Sequence, residues 1–268
     1  MNINLRKPQF CYEIGLRGNN EDYIYPAPAT ATATGTATGT GTGTATATEA
    51  GRLFLVCDGM GGHEDGEVAS KTATEAISAY WAEHGDEPDT EQKVMNAIAS
   101  AISAMDRLVK KAGKDKGMGT TMTLASIGAD TILLAHTGDS RIYQIRPAAG
   151  IIYQSTDHSY VQTLVDAGLL TLEEARVHPM NNIITQVIQP GSLKLMQPEV
   201  AVVRDIEEGD YLFLCTDGIT ESISDDTLAD IISRDIPDDE KMKQIKQICS
   251  ENSRDNYSAY LIPLTVQK

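Results

Sequence analysis

Two apolar segments of the chain end in the same way, with an aspartate followed by a glycine. Residues 53–60 read LFLVCDGM and residues 212–218 read LFLCTDG. Short apolar runs of this kind are typical of strands buried on both faces. An ionised carboxylate at the end of a buried strand is costly unless a partner neutralises it. A cation shared between Asp58 and Asp217 would explain both segments.

The remaining elements indicate the fold class. From Thr120 onward, short β-rich segments joined by Gly, Asp or Asn-type turns predict an antiparallel meander. Apolar residues recur at helical spacing over residues 66–84 and 89–112, and again over 225–234 and 238–250. Strands, a helix pair, more strands and a second helix pair do not give a regular βαβ alternation. The order therefore favours an α+β protein, an antiparallel sandwich covered by helices, over a doubly wound sheet.

The second helical segment carries its own end signals. Asp89 followed by Gln92 resembles a capping box, which predicts that the helix begins at Asp89. Gly113 is typical of the residue that ends a helix. We expect these helices to pack on the core and to carry no chemistry.

Charge and cysteine content limit the possible partners. The net charge of −16 argues against nucleic acid or an anionic membrane as the main partner. The four cysteines form no CxxC pair, and we expect them to be reduced core residues of a cytosolic protein. The N-terminus has no apolar signal core and no segment approaches the length of a membrane span. These features predict a cytoplasmic location.

One segment has low complexity. Residues 27–50 consist almost entirely of Ala, Gly and Thr, with Thr at every even position from Thr30 to Thr48. The alternation favours an extended ribbon, but the segment has no large side chain to bury. We predict a loop insertion, either a mobile surface loop or a flexible hairpin extension.

Acidic residues recur at strand ends and in tight turns. These residues are Glu21, Asp22, Asp58, Asp139, Asp217 and Asp255. A set of ligands made only of oxygen atoms suits hard cations such as Mg²⁺ or Mn²⁺ and not zinc. Each residue taken alone could instead cap a turn or a helix. Taken together, the six favour a metal site.

Seven motifs give the chain a family resemblance. In chain order they are RGNNED (17–22), VCDGMGGHEDGEVAS (56–70), GTTMT (119–123), HTGDSRIY (136–143), TDHS (156–159), CTDGI (215–219) and RDN (254–256). The ordered set resembles the PPM-type, or type 2C, metal-dependent Ser/Thr protein phosphatases, particularly the bacterial single-domain kind. The resemblance implies one domain over residues 1–268, folded as a four-layer α-β-β-α sandwich in which helix pairs flank two antiparallel sheets packed face to face.

The resemblance also implies which residues bind the central metal ions. Asp58 would bridge two Mn²⁺ or Mg²⁺ ions, and the carbonyl of Gly59 would contact the second ion. Asp217 and Asp255 would complete the shell of the first ion. Asp58 is thereby both a metal ligand and a catalytic residue.

Further roles follow from the same resemblance. Glu21 and Asp22 match an acidic pair that acts through metal-bound waters or on a third ion. Asp139 matches a ligand of a third, weaker ion and would share that ion with Asp217. Arg17 matches the arginine that grips the substrate phosphate.

Other residues are predicted to support the site. The eukaryotic relatives place a histidine directly after the Asp-Gly step, where this chain has Met60, so we do not assign His63 the role of general acid. His63 and Asn256 are expected to contact the residues that bind metal. Residues 155–189 match the flap that borders the active site of bacterial members and shapes substrate choice.

The predicted reaction is hydrolysis of phosphoserine and phosphothreonine in proteins. Two metal ions would activate a bridging water that attacks phosphorus in line, so no phosphoenzyme is needed. The expected protein is a cytoplasmic monomer that opposes a Ser/Thr kinase. Two alternatives remain open. One is a non-catalytic regulatory binding module of the same fold, and the other is a metal-dependent phosphatase that acts on small phosphate esters.

Overall fold

Strands and helices alternate along the chain in blocks that build two sheets. The computed structural model describes residues 2–27, 41–44, 52–61, 65–113 and 117–267, with the backbone alone for residues 41–44. All strand pairs in these residues are antiparallel. The strands fall into one seven-stranded and one six-stranded sheet.

The seven-stranded sheet brings both ends of the chain together. Its order is β10-β9-β12-β13-β2-β4, and β1 pairs with the last part of β13. The strands are β1 (Asn2–Leu5), β2 (Gln9–Glu13), β4 (Gly41–Thr44), β9 (Arg141–Arg146), β10 (Gly150–Gln154), β12 (Tyr211–Cys215) and β13 (Tyr257–Gln267).

The six-stranded sheet contains only the first two strands of the predicted meander, β7 and β8. The next two, β9 and β10, belong to the seven-stranded sheet, so the prediction of one continuous meander was wrong: the turn at Asp139 carries the chain from one sheet to the other. The order of the six-stranded sheet is β11-β8-β7-β5-β3, and β6 pairs with the end of β5. The strands are β3 (Asp22–Tyr25), β5 (Leu53–Met60), β6 (Gly119–Thr120), β7 (Met122–Ile127), β8 (Ile132–Thr137) and β11 (Glu199–Val203).

Helices cover the outer faces of both sheets. They are α1 (Asp65–Glu83), α2 (Glu91–Ala112), α3 (Tyr160–Asp166), α4 (Leu172–Arg176), α5 (Asp217–Thr220), α6 (Asp225–Ser233) and α7 (Asp238–Asn252), with a 3-10 turn at Ser192–Leu195. Helices α1 and α2 pack on the six-stranded sheet, and α5, α6 and α7 pack on the seven-stranded sheet. The predicted α+β sandwich of four layers is confirmed.

Strand β12 shows why an uninterrupted apolar run fits this architecture. Tyr211, Phe213 and Cys215 pack against the helices, whereas Leu212 and Leu214 pack into the core between the sheets. Side chains of a strand alternate between its two faces. Because both faces of β12 are covered, every position has to be apolar.

Strand β5 follows the same rule up to the point where its apolar run stops. Leu53 and Leu55 pack against α1 and α2, and Phe54 and Val56 pack into the core between the sheets. Asp58 is the next residue in the inner series. The alternation therefore places Asp58 at one end of the core between the sheets.

The start of α2 differs from the prediction. The residue that caps the helix is Thr90, whose hydroxyl accepts a hydrogen bond from the amide of Lys93 at 3.2 Å. Asp89 accepts hydrogen bonds from the Lys93 ammonium and the Ser126 hydroxyl. A contact with β7 thus occupies the carboxylate, Thr90 caps the helix instead, and the helix begins at Glu91, two residues later than predicted. The end at Gly113, whose φ is 64°, is confirmed.

The Thr-rich segment is only partly described. Gly41–Thr44 form the edge strand β4, which pairs with Gln9–Glu13. This part of residues 27–50 belongs to a sheet and is not a loop. Residues 28–40 and 45–50 lie outside the described residues. In the described part of the chain, no helix has the length and apolar character needed to cross a membrane.

Candidate active site

Asp22 and Asp58 lie opposite each other at the end of the core between the sheets. They are paired residues of β3 and β5. Asp22 is fully buried, and the hydroxyl of Thr216 donates a hydrogen bond to its Oδ2 at 3.0 Å. Thr216 follows β12 of the other sheet. The Asp22–Thr216 contact therefore bridges the two sheets.

Two threonines hold the backbone of Asp58. The amide of Asp58 donates to Thr121 Oγ1, and the amide of Thr121 donates to the Asp58 carbonyl, both at 2.9 Å. The hydroxyl of Thr120 donates to the same carbonyl at 2.8 Å. These hydrogen bonds involve only the backbone of Asp58. The direction of its carboxyl group is therefore set by the position of Asp58 in the strand.

Asp217 and Asp139 come from two further segments. Asp217 follows Thr216 after β12 and is the first residue of α5, and Asp139 lies in the turn that joins β8 of the six-stranded sheet to β9 of the seven-stranded sheet. Burial, followed by repulsion from Asp217, raises the pKa of both Asp58 and Asp139. A cation between these carboxyl groups would offset the repulsion.

Three buried carboxylate oxygens of this cluster have no hydrogen-bond partner among the described residues. They are Oδ1 of Asp22, Oδ1 of Asp139 and Oδ1 of Asp217. A buried acceptor without a partner keeps its full desolvation cost. Such oxygens fit hard divalent cations, which take oxygen ligands and offset negative charge.

The pKa values of the cluster show how poorly it tolerates its own charge. Burial, followed by repulsion from Asp217, raises the pKa of Asp139 to about 8. Burial, followed by repulsion from Glu221 and Asp255, raises the pKa of Asp217 to about 6. Burial is also the main cause that raises the pKa of Asp58 well above its ordinary range. A bound proton or cation would therefore stabilise the cluster.

The cluster is wider than the shell of a single ion. No three of its carboxyl groups, all of which lie in the described residues, have oxygens within 4.8 Å of one another. Oxygens bound to one Mg²⁺ are at most about 4 Å apart, since each lies about 2.0–2.1 Å from the ion. Three of these carboxyl groups could therefore bind one ion together only after their side chains move closer.

Arg17 and Asp255 form an ion pair at the edge of the cluster. The distance from Arg17 Nη2 to Asp255 Oδ2 is 2.5 Å. The hydrogen bond to Asp255 raises the pKa of Arg17, so the guanidinium is charged. Its side chain remains 53% exposed, which leaves donors available to an incoming anion.

Glu21 is held by its backbone. Its carbonyl accepts hydrogen bonds from the amide of Gly59 at 3.0 Å and from the hydroxyl of Ser70 at 2.5 Å. Its amide donates to Oδ1 of Asn256 at 2.8 Å. Asn256 also donates to the carbonyls of Ile14 and Asn19 and so fixes the loop that carries Arg17 and Glu21.

The structure brings all six predicted carboxylates into one electrostatic cluster. Each of them repels at least one other member: Asp255 repels Glu21, and Asp217 repels Asp22.

Residues 42–248 match the family model described as Protein phosphatase 2C. The chain belongs to this family.

One relative and one solved structure show how much of this chain the similarity covers. Protein phosphatase PhpP of Streptococcus pneumoniae is 36% identical over 222 residues, which cover 80% of this chain and 87% of PhpP. The crystal structure of the serine/threonine phosphatase PstP/Ppp of Mycobacterium tuberculosis has a TM-score of 0.75 and 27% identity, with 100% of both chains covered.

A further structure shows the catalytic domain of serine threonine protein phosphatase PstP in complex with two manganese ions. Its TM-score is 0.74 and its identity 28%, over 98% of this chain and 100% of that chain. Family and fold predicted from the motifs are confirmed.

Both Asp-Gly steps of this phosphatase 2C chain require glycine for the same reason. A Cβ at Gly59 would lie 2.0 Å from the carbonyl oxygen of Gly66 and 2.6 Å from that of Glu21. A Cβ at Gly218 would lie 2.0 Å from the carbonyl oxygen of Asn256. The backbone segments that carry the carboxylates therefore approach each other too closely for any side chain.

Several contributors to the site were not predicted as functional residues. Thr120, Thr121 and Thr216 form hydrogen bonds with the aspartates. They occur in the motifs GTTMT and CTDGI, but no role was predicted for them. Arg141 supports the turn of Asp139 through two 2.7 Å hydrogen bonds to the carboxylate of Asp157. Thr216 directly precedes Asp217 and Arg141 lies two residues after Asp139, which was the available signal for these two residues, whereas Thr120 and Thr121 have no aspartate beside them in the sequence. His63, predicted to contact residues that bind metal, lies outside the described residues.

Replacing Gly218 tests the close approach. We expect Gly218→Ala to lower the free energy of unfolding by about 1–3 kcal/mol, because a methyl group must displace the Asn256 backbone. At Gly85 the nearest atom to a new Cβ is 3.7 Å away, and Gly85→Ala should change stability by about 0.5 kcal/mol or less. Urea unfolding of both variants measures the difference. Equal free energies of unfolding of the two variants would contradict the close approach of the Asn256 backbone to Gly218.

The raised pKa of Asp139 predicts a pH effect on the metal-free protein. Folding raises this pKa from 3.8 to about 8, so the folded state holds a proton that the unfolded state releases. The stabilisation of the folded state by protonated Asp139 is complete below pH about 4 and is lost as the pH rises towards about 8. In EDTA, wild type should lose stability relative to Asp139→Asn between pH about 5 and about 8. A difference that is constant with pH would refute this assignment.

Proposed function

We propose that the protein hydrolyses phosphoserine and phosphothreonine in proteins, with the help of divalent cations. The observation that carries this proposal is the set of buried, unpartnered carboxylate oxygens of Asp22, Asp139 and Asp217 at one end of the core between the sheets. Family membership supports the reaction class, since PstP is named as a serine/threonine protein phosphatase.

We propose that the cations are Mn²⁺ or Mg²⁺, with two at the centre of the cluster and a third, weaker one beside Asp139. Asp58, Asp217 and Asp255, with the carbonyl of Gly59, would hold the central pair. Glu21, Asp22 and Asp139 would complete the site. Bound divalent cations would supply the attacking water in ionised form near neutral pH and offset charge on the phosphoryl oxygens. The two manganese ions of the PstP catalytic domain support this assignment.

Arg17 would bind the phosphate of the substrate. Its guanidinium is half-exposed and already lies against the carboxylate of Asp255. A planar guanidinium can donate two parallel hydrogen bonds to a phosphate. In this arrangement Arg17 orients the phosphate toward the cluster, and Asp255 keeps the arginine side chain in place until the substrate arrives.

The thiols give no support to a covalent route. All four cysteines are free and buried. Burial raises the pKa of each, to about 12 for Cys57 and for Cys249. Because the thiolate is the nucleophilic form, these thiols are unreactive at neutral pH. Direct attack by water is therefore the better account.

We propose that residues 155–189 form a flap that shapes substrate choice. Thr120 and Ile188 exchange two backbone hydrogen bonds at 2.9 Å, and the amide of His158 donates to the carbonyl of Gly138 at 2.8 Å. These contacts join the flap to β6, which holds the backbone of Asp58, and to the turn that carries Asp139. Large apolar side chains of the flap are exposed, among them Leu169 and Val177. Such a surface suits a protein substrate better than a small phosphate ester.

The assignment of 1–268 as one domain, the monomeric state and the opposing Ser/Thr kinase remain predictions. A cytoplasmic location also remains a prediction, supported by the four reduced cysteines.

Phosphate release from a phosphothreonine peptide tests the proposed function. Wild type should be active with Mn²⁺ and inactive in EDTA. Asp217→Asn should lower kcat/KM by about 100-fold or more, since even changes around a metal ligand cost about 10–100-fold. Asp86, an exposed aspartate away from the cluster, provides the matched control, and Asp86→Asn should match wild type.

Three results would count against this account. Equal activity of wild type and Asp217→Asn, both folded, would remove the carboxylate cluster from the reaction. Folded wild type that releases no phosphate from phosphopeptides with Mn²⁺ would favour the binding module. Activity confined to aryl phosphates would favour the small-ester phosphatase.

A further inference from the structure

A second group of potential metal ligands lies outside the carboxylate cluster. His136, His158 and Glu199 have ligand atoms that all lie within 4.8 Å of one another. His136 is on β8 and Glu199 is paired with it on β11. His158 belongs to the segment that follows β10, and its ring stacks on that of His136 with centroids 4.7 Å apart.

The hydrogen bonds of His136 leave one nitrogen unused. Its Nε2 lies 2.7 Å from the carbonyl oxygen of Thr156, so Nε2 carries the proton and donates it. Its Nδ1 then has a free lone pair, and no partner for it is found in the part of the chain that the structure describes. The side chain is 1% exposed. A buried nitrogen of this kind is ready to bind a metal ion.

The other two ligands are more exposed than His136. His158 and Glu199 are both partly exposed. Zinc bonds of about 2.0–2.1 Å hold tetrahedral ligands roughly 3.4 Å apart, so ligand atoms that lie within 4.8 Å of one another have to approach further when an ion binds.

The ligand types distinguish this group from the carboxylate cluster. Imidazole nitrogens suit zinc and similar transition metals, whereas Mg²⁺ prefers oxygen. Two histidines and one glutamate also leave a fourth position of a tetrahedral ion open.

We propose that His136, His158 and Glu199 form a separate site for a zinc-class transition metal, coupled to the turn that carries Asp139. The coupling follows from His158, whose Nδ1 accepts a hydrogen bond from the amide of Gly138 at 3.2 Å. A metal on Nδ1 takes that lone pair. A metal on Nε2 moves the ring proton to Nδ1. Either way the amide loses its acceptor, and Gly138 directly precedes Asp139.

Zinc titration of the whole protein tests the site without reference to catalysis. Saturating Mg²⁺ first occupies the carboxylate cluster, and Zn²⁺ binding is then followed by calorimetry. Wild type should bind one Zn²⁺ per chain under these conditions. Glu199→Gln and His158→Gln should each weaken this binding by about 10-fold or more. His158→Gln keeps an amide oxygen that can accept from Gly138, and thermal unfolding checks that both variants fold.

Asp86→Asn is the matched control, since this exposed aspartate belongs to neither group of ligands. It should bind Zn²⁺ like wild type. Wild-type Zn²⁺ binding in both Glu199→Gln and His158→Gln would overturn the site. Binding that weakens in both of those variants supports it even if the protein releases no phosphate from any phosphopeptide.

Amide resonances test the coupling. In wild type, Zn²⁺ should shift the resonances of Gly138 and Asp139, and in Glu199→Gln the same Zn²⁺ concentration should not. Coupling is reciprocal, so Zn²⁺ should also change Mg²⁺ affinity by the factor by which Mg²⁺ changes Zn²⁺ affinity. Zinc bound at full stoichiometry with both resonances unmoved would refute the coupling.

Discussion

The mutual repulsion of buried carboxylates at one end of the core between the sheets is the constraint on which the rest of the site depends. Burial and neighbouring charge raise the pKa of Asp22, Asp58, Asp139 and Asp217 together. The negative charge on any of these four side chains does not stabilise the folded protein. The arrangement is explained if its purpose is to hold cations, whose binding free energy offsets the cost of bringing the four groups together.

The scaffold holds these groups by means that leave their oxygens free. Strand pairing sets Asp22 against Asp58, and the threonine bonds to Asp58 use its backbone alone. The glycines that follow Asp58 and Asp217 permit backbone contacts that no other residue allows. Rigid, close-packed backbone thus fixes the ligand positions before any ion binds, which is what a preorganised metal site needs.

Much of this arrangement could be predicted from the sequence, because it depends on local patterns. The apolar runs ending at Asp58 and Asp217 predicted both covered strands and the carboxylates at their ends. Contacts between distant segments could not be predicted. Thr216 reaches Asp22 across the two sheets, and a contact of Asp89 with β7 leaves Thr90 as the cap of α2. Neither leaves a periodic signal in the sequence.

The histidine–glutamate group illustrates the same limit. His136 and Glu199 become neighbours only through the pairing of β8 with β11, and His158 joins them through the turn at Gly138. No spacing rule relates these positions in the sequence. The flap contacts at Thr120 and Ile188 likewise emerge only from the folded chain.

Crystals soaked in Mn²⁺ test the central claim most directly, because anomalous scattering locates the ions themselves. The account predicts at least two peaks at the end of the core between the sheets, one of them touching both Asp58 and Asp217. The same soak of Asp58→Asn crystals should lose that shared peak. Fully soaked wild-type crystals with no peak at these aspartates would contradict the account and leave the buried carboxylates without an explanation.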